Sequence, residues 1–173
     1  LDRSVFSILA EEIKSDFNLS DANLGFLAGT AFAVSYATFG IIFGRISDAS
    51  NRKNLLAVCL SFWSLMTILC GLAWGFLSLA FLRIGLGAGE SCGSPTSNSL
   101  IYDYFSPKLR TTALAVYNCG NFIGMGLGLI LGGLILDTWN QTWPDPSHAP
   151  FGLKGWQVTF IILGLPGILV AFW

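Results

Sequence analysis

Residues 22–43, 54–82, 111–136 and 156–173 contain no Asp, Glu, Lys or Arg. Crossing the hydrocarbon core of a bilayer takes about 20 apolar residues in a helix. Uncharged runs of this length therefore restrict the chain to bundles of membrane helices. The 54–82 run is too long for one span, and Gly71 to Gly75 marks a turn within it. The third helix and the start of the fourth share this run, and the fourth is expected to continue to about Tyr102. Residues 1–10 are too few to span and read as the second half of a truncated first helix. The second, fifth and sixth helices are expected at 22–43, 111–136 and 156–173. Polar turns are expected at 44–53 and 106–110, the latter with Pro107 as a helix breaker, and a Trp- and Pro-rich loop at 137–155.

Composition agrees. Apolar residues make up 53% of the chain and charged residues 11%. A soluble domain carries about 25% charge, so too little is present to cover a water-facing surface. The net charge of −1 carries no information about nucleic acid, and no nucleic-acid partner is expected. Cys59, Cys70, Cys92 and Cys119 lie in apolar stretches without metal-ligand spacing, and His148 is the one histidine. They read as packing residues, and neither a metal nor a cofactor is expected. No phosphate-binding Gly-Lys loop or nucleophile elbow is present. The run Gly85-x-Gly87-x-Gly89 reads as helix packing, because it lies in an apolar helix between two charges. The chain opens without Met inside an expected helix and stops in an apolar run, so it is expected to be a fragment.

Arg45, Arg52, Lys53, Lys108 and Arg110 fall on one side of this arrangement, and only Lys14 and Lys154 on the other. Basic loops stay in the cytoplasm, so the loops at 44–53 and 106–110 are expected there. Trp139, Trp143 and Trp156 are expected at the outer interface, where amphipathic rings are favoured. Asn18-Leu19-Ser20 and Asn140-Gln141-Thr142 match the glycosylation triplet, a pattern common by chance.

Charges inside the spans are the sharpest signal. Arg83 and Glu90 interrupt the fourth helix, and Asp2 and Arg3 lie in the first. A charge at the centre of a membrane helix costs about 2.5–3.5 kcal/mol on insertion scales and usually faces a bundle interior or a wet cavity. Arg83, Gly87, Glu90, Ser94 and Ser97 share one stripe at 3.6 residues per turn. Arg83 and Glu90 would stand about 10 Å apart along the axis. A partner on another helix is therefore needed, and Asp2 is the candidate. Arg3, about 100° round the helix from Asp2, is grouped with Gly87, Ser94 and Ser97 as substrate-cavity residues. A purely structural role would be a salt bridge that locks two helices. In the fifth helix, Gly124, Gly128 and Gly132 follow at i+4 steps, with Gly133 beside them. Small residues at this spacing let backbones approach closely, as simple packing or as part of a gate.

Two motifs carry a family resemblance. Gly44-Arg45-Ile46-Ser47-Asp48-Ala49-Ser50-Asn51-Arg52-Lys53 resembles the cytoplasmic signature of the major facilitator superfamily, Gly-x-x-x-Asp-x-x-Gly-Arg-Lys, with Ala49 and Asn51 departing from it. The resemblance gives Gly44, Asp48, Arg52 and Lys53 a gating role. From the residue alone, Asp48 suits capping of a helix start or a charged hydrogen bond. Gly128-Leu129-Ile130-Leu131-Gly132-Gly133 resembles the fifth-helix motif Gly-Pro-x-x-Gly-Gly, associated with antiporters, with Leu129 in place of Pro. Within the superfamily the chain is most similar to the spinster family. Asp2-Arg3, Asn51-Arg52-Lys53, Arg83-x6-Glu90 and the Gly-rich fifth helix carry that similarity. It implies a proton-linked or facilitative carrier, some members moving lysolipids or sphingoid lipids, with Asp2, Arg83 and Glu90 as the proton-responsive cluster.

The expectation is an all-α integral membrane protein of the inner membrane. Residues 1–173 would form one amino-terminal six-helix half of a major facilitator fold, built from 3+3 inverted repeats. Its partners would be the bilayer, protons, a small organic or lipid-like substrate, and the absent carboxy-terminal half. A sugar-acid or organic-anion symporter of the same superfamily is the alternative. A non-transporting membrane scaffold or receptor is the alternative from another class. No enzymatic activity is expected.

Overall fold

The computed structural model describes residues 2–172, and the side chains of residues 2 and 3 lie outside the described set. The helices are α1 (Asp2–Phe17), α2 (Asp21–Ala49), α3 (Arg52–Cys70), α4 (Phe76–Glu90), α5 (Gly93–Tyr104), α6 (Pro107–Thr142) and α7 (Gly155–Phe172). Among the described residues α2, α3, α6 and α7 are each long and apolar enough to cross a bilayer alone. The fourth span is shared between α4 and α5.

Local chemistry explains the boundaries. Asn18 adopts φ 48° at the end of α1, and the Leu19 amide turns back to donate to the Lys14 carbonyl. Asparagine tolerates this left-handed cap. Ser20 then caps α2 by accepting from the Asn23 amide at 3.2 Å. Asn51 does the same for α3, accepting from Asn54 at 3.3 Å. Ser78 closes the 71–75 turn by accepting from the Trp74 and Gly75 amides.

Five features of the helices differ from the sequence expectation, each for a physical reason. Polar residues do not end a helix that emerges into water. So α1 runs on to Phe17, and α2 continues through Gly44 and Asp48 to Ala49, where only Ser50 turns extended. Pro107 starts α6 instead of breaking it, because a proline in the first turn lacks only an amide that has no helical partner there. At its other end α6 continues to Thr142, held by Asn140, which donates to Glu12 of α1 at 2.6 Å, and by Trp139, which donates to the Leu153 carbonyl at 3.0 Å. Its 36 residues make a rod of about 54 Å. The fourth span is broken at Ser91–Cys92, immediately after Glu90, because Pro95 has no amide to donate to the Ser91 carbonyl.

The packing has a symmetry. α2 lies on α4, α1 on α6, and α3 on α7, with further contact of α3 on α4 and of α1 on α7. Exchange the first three spans for the last three, and the α2–α4 pair becomes the α6–α1 pair while α3–α7 maps onto itself. Three spans are an odd number, so the two triplets run in opposite directions. This is the 3+3 inverted repeat.

Val5, Phe6, Leu9 and Ile13 of α1 form the centre of the core with Leu27, Leu79, Leu136, Trp156 and Phe160. Trp156 is 1% exposed and sits edge-on to Phe17 and Phe160. Its indole N–H donates to Asp16 at 3.0 Å, and Lys154 pairs with the same carboxylate. Trp156 is therefore a core residue with a buried polar tip, not the interfacial ring that its position implied.

Candidate coupling site

Arg83 is 1% exposed, in the middle of α4. A guanidinium brings five N–H donors, and a membrane interior offers them no water. The second span supplies acceptors from its backbone. Phe26–Thr30 of α2 forms a π turn, in which the Ala31 amide reaches back five residues to the Phe26 carbonyl. Such a turn holds one residue more than an α-turn and disturbs the regular ladder. Arg83 Nε donates to the Leu27 carbonyl at 3.0 Å and Nη2 to the Ala28 carbonyl at 3.2 Å. The Phe6 ring of α1 lies 4.3 Å from the guanidinium carbon, and the Phe32 ring of α2 lies 5.7 Å from it. One side chain thus ties together α1, α2 and α4, which belong to both repeats.

Gly87 follows one turn on. It is buried, and a Cβ there would lie 2.7 Å from the Phe32 carbonyl and still closer to the Ser35 hydroxyl. It is a helix-packing position and not a cavity wall, contrary to the expectation, because α2 occupies the space. Glu90 is half-buried at the end of α4. Beyond the break, Ser94 is exposed and its hydroxyl lies 3.2 Å from that of Tyr36 on α2, while Ser97 is half-buried. The stripe therefore opens from a sealed end at Arg83 to an accessible end at Ser94. The expected roles of the Asp2 and Arg3 side chains lie outside the described residues. The α1 backbone places position 2 one turn before Phe6.

At the basic end, Arg52 pairs with Asp103 of α5. The two border a cavity of 370 Å³ with Lys53, Asn51 and Leu100. Gly44 and Asp48 lie on the last turns of α2, and Asp48 is exposed. Asn51, not Asp48, caps the following helix. Arg110 donates to the Phe105 and Tyr102 carbonyls at 3.1 and 3.0 Å and so closes the end of α5. In α6, Gly128 and Gly132 are buried and Gly124 is half-buried. A Cβ on Gly132 would meet Ile8 and Val5 of α1 at 3.7 and 3.8 Å, whereas one on Gly133 would have nothing within 4 Å among the described residues.

Sequence reasoning missed the π turn, Phe6, Phe32, Tyr36 and Asp103. Backbone carbonyls have no side-chain signature, and aromatic rings are abundant here. Asp103 did leave a trace, as an acid five residues before Lys108.

A helical bundle of two inverted triplets, with a buried arginine joining them, defines an integral membrane protein of the inverted-repeat class. The chain belongs to the Major Facilitator Superfamily, whose family model matches residues 1–173. It is 30% identical to an MFS-type efflux pump of Mycolicibacterium smegmatis, over 99% of this chain and 36% of the pump. It is 32% identical to the hexuronate transporter of Bacillus subtilis, over 99% of this chain and 37% of that protein. Among solved structures it superposes, at a TM-score of 0.90 and 35% identity, on a bacterial homologue of the human lysosomal transporter Spinster in an inward-facing, occupied conformation. That match covers 99% of this chain and 39% of the homologue. The chain thus spans little more than a third of the length of these relatives, which are transporters and not enzymes.

Proposed function

We propose that residues 1–173 are the amino-terminal half of a secondary transporter, completed by a second six-helix half. The observation that carries this reading is the buried Arg83, held in mid-span by both repeats. Burial of such a charge is expensive, and a bundle held by apolar packing gains nothing from it unless the charge is used. In this reading Asp2 and Glu90 compete for Arg83, and protonation decides which acid pairs with it. Each pairing favours one orientation of the two halves. Arginine stays charged throughout and is the fixed member. Arg3, Ser94 and Ser97 line the substrate path from the accessible end of the stripe. Gly44, Asp48, Arg52 and Lys53 form the gate at the cytoplasmic end of an inner-membrane protein. Gly124, Gly128, Gly132 and Gly133 form the packing face of the fifth span.

The substrate in this reading is a small organic or amphipathic molecule, the class that the sequence resemblance to the spinster family implies. The hexuronate transporter favours a second reading, a sugar-acid symporter. Full-length protein in proteoliposomes under an imposed pH gradient, offered either a lysophospholipid or glucuronate, separates the two. Glu90→Gln is expected to abolish proton-driven accumulation and leave downhill exchange, and Arg83→Ala to be worse. If Glu90→Gln and Asp2→Asn both keep the wild-type pH dependence, the cluster is structural. Labelling of Ser50→Cys from outside intact cells would overturn the assigned orientation.

A further inference from the structure

The end of the bundle opposite the basic loops holds a cavity that the proposed coupling does not use. It has a volume of 480 Å³ and lies where α1 and α6 end and α7 begins. Small-molecule sites run from about 300 to 1,000 Å³, so it is large enough for one. Its charged lining is Glu12, Asp16 and Lys154, two acids and one base, for a formal charge of −1. The base is already matched. Lys154 pairs with Asp16, whose other oxygen accepts from the Trp156 indole at 3.0 Å. Glu12 is half-buried and takes part in none of the ion pairs among the described residues. Its contact is with a neutral group, the Asn140 amide, which donates to Oε1 at 2.6 Å. The protein itself therefore leaves one charge in this cavity unbalanced.

We infer that this cavity binds an ammonium group, with Glu12 as its counter-charge and Trp139 and Trp143 as its walls. Other ligand classes fit less well. An anion would meet a net negative charge. An apolar ligand would strip water from the Glu12 carboxylate and give nothing in return, which is costly. An ammonium gains from the carboxylate and from the ring faces, and Trp is the best aromatic partner for a cation within about 6 Å. Trp139 is held in a way that suits this. Its N–H donates to the Leu153 carbonyl at 3.0 Å, so ring surface is what it has left for a ligand. The helix ends act in the same direction. α1 and α6 finish beside the cavity, at Phe17 and Thr142, and the carbonyl end of a helix favours a positive group. α7 starts there as well, but its opposing dipole is matched by Asp16, which Lys154 and Trp156 hold at that start. The ammonium can come from an ethanolamine or choline lipid headgroup or from a free amine, because the chemistry is the same.

Two measurements on the full-length protein separate the sources. In the first, protein is purified in micelles with equal phosphatidylethanolamine and phosphatidylglycerol, and the retained lipid is counted by native mass spectrometry. In the second, choline is offered to protein in phosphatidylglycerol nanodiscs, and its binding is read by saturation-transfer NMR. The wild type is expected to hold phosphatidylethanolamine over phosphatidylglycerol, to bind choline, or both. Lipid preference without choline binding makes the source a headgroup, and choline binding without lipid preference makes it a free amine. Glu12→Gln keeps an acceptor for Asn140 and removes the charge. It should weaken the binding by at least about tenfold, the scale of one hydrogen bond to a charged group. Trp143→Leu removes one wall and should weaken it about threefold, and this variant decides if Glu12→Gln does not fold. A wild type that shows neither lipid preference nor choline binding overturns the inference, as when a basic side chain of the second half fills the cavity. Ammonium binding that survives unchanged in a folded variant overturns it too.

Discussion

The glycines of α4 and those of α6 differ in what a methyl group would meet. In α4 they alternate at i+2, so successive glycines face opposite sides of the helix. Cβ atoms on Gly85 and Gly89 would lie 2.9 Å from Met66 and from Phe62 and Trp63 of α3, and one on Gly87 would lie 2.7 Å from the α2 backbone. The fourth span is thus a thin wedge driven between the second and third. In α6 the i+4 glycines line up on one face. On that face Gly132 meets α1 at ordinary contact distance and Gly120 meets nothing within 4 Å among the described residues; Gly126 and Gly133, off that face, meet nothing there either. The first region has spent its smallness on contacts inside this half. The second has smallness left over. A glycine motif recognised by spacing therefore does not say whether the close approach has already happened.

The largest expected effect breaks the wedge. Gly87→Ala forces a methyl against a backbone carbonyl, which cannot move aside as a side-chain tip can. Overpacking of this kind costs about 1–3 kcal/mol, occasionally more. The melting temperature of detergent-purified full-length protein should fall clearly. An unchanged melt would show that α2 and α4 are not in close contact. Gly164→Ala tests whether tight glycines outside any motif behave alike. Its Cβ would meet Ile68 Cγ1 at 2.7 Å and the Ser64 carbonyl at 3.0 Å on α3. The nearer atom belongs to a flexible side chain, so the loss should be smaller than for Gly87, nearer the lower end of the same range. A larger loss than for Gly87→Ala would reverse the ranking of the two interfaces.

These two glycines also show what the sequence could and could not yield. The spans were legible because the absence of charge is a property of composition over about 20 residues. Gly85-x-Gly87-x-Gly89 was readable as packing for the same reason. Gly164, on α7, has no comparable signature, since its neighbour Ser64 lies 100 residues away in sequence. Arg83 and Glu90 were visible as charges in an apolar run, but the cradle of Arg83 was not. It consists of two carbonyls, and its position depends on one extra residue in the turn. The break after Glu90 did leave a signal, because Pro95 has no amide to donate to the Ser91 carbonyl four residues back, although Ser91 and Cys92 keep helical dihedrals.

The smaller effects sharpen the α6 side of the comparison. Gly132→Ala places a methyl in ordinary van der Waals contact with Val5 and Ile8. The gain in contact and in helix propensity, about 1 kcal/mol for Gly to Ala in soluble helices, should leave the melting temperature equal or slightly raised. A marked fall would mean that α1 and α6 approach more closely in the membrane than their separation here.

Gly133→Ala is expected to have the smallest effect on stability and to be the most informative. Nothing among the described residues lies within 4 Å of its Cβ position, so no contact among them is lost or strained. If that face of α6 meets only lipid, a methyl group is indistinguishable from the chain around it, and neither the melt nor transport should change. If the face instead closes against another helix of the full-length protein in one orientation, the methyl holds that pair apart. Stability would again stay level, because the other orientation is unaffected, but turnover would fall and the two orientations would change in population. A ligand or mutation shifts such a balance only by its different interaction with the two states. Cysteine accessibility at opposite ends of the full-length protein reads that balance directly. The proposed role of this face predicts that Gly133→Ala shifts it while Gly132→Ala does not. Equal behaviour of the two variants would mean that the open glycines of α6 carry no function.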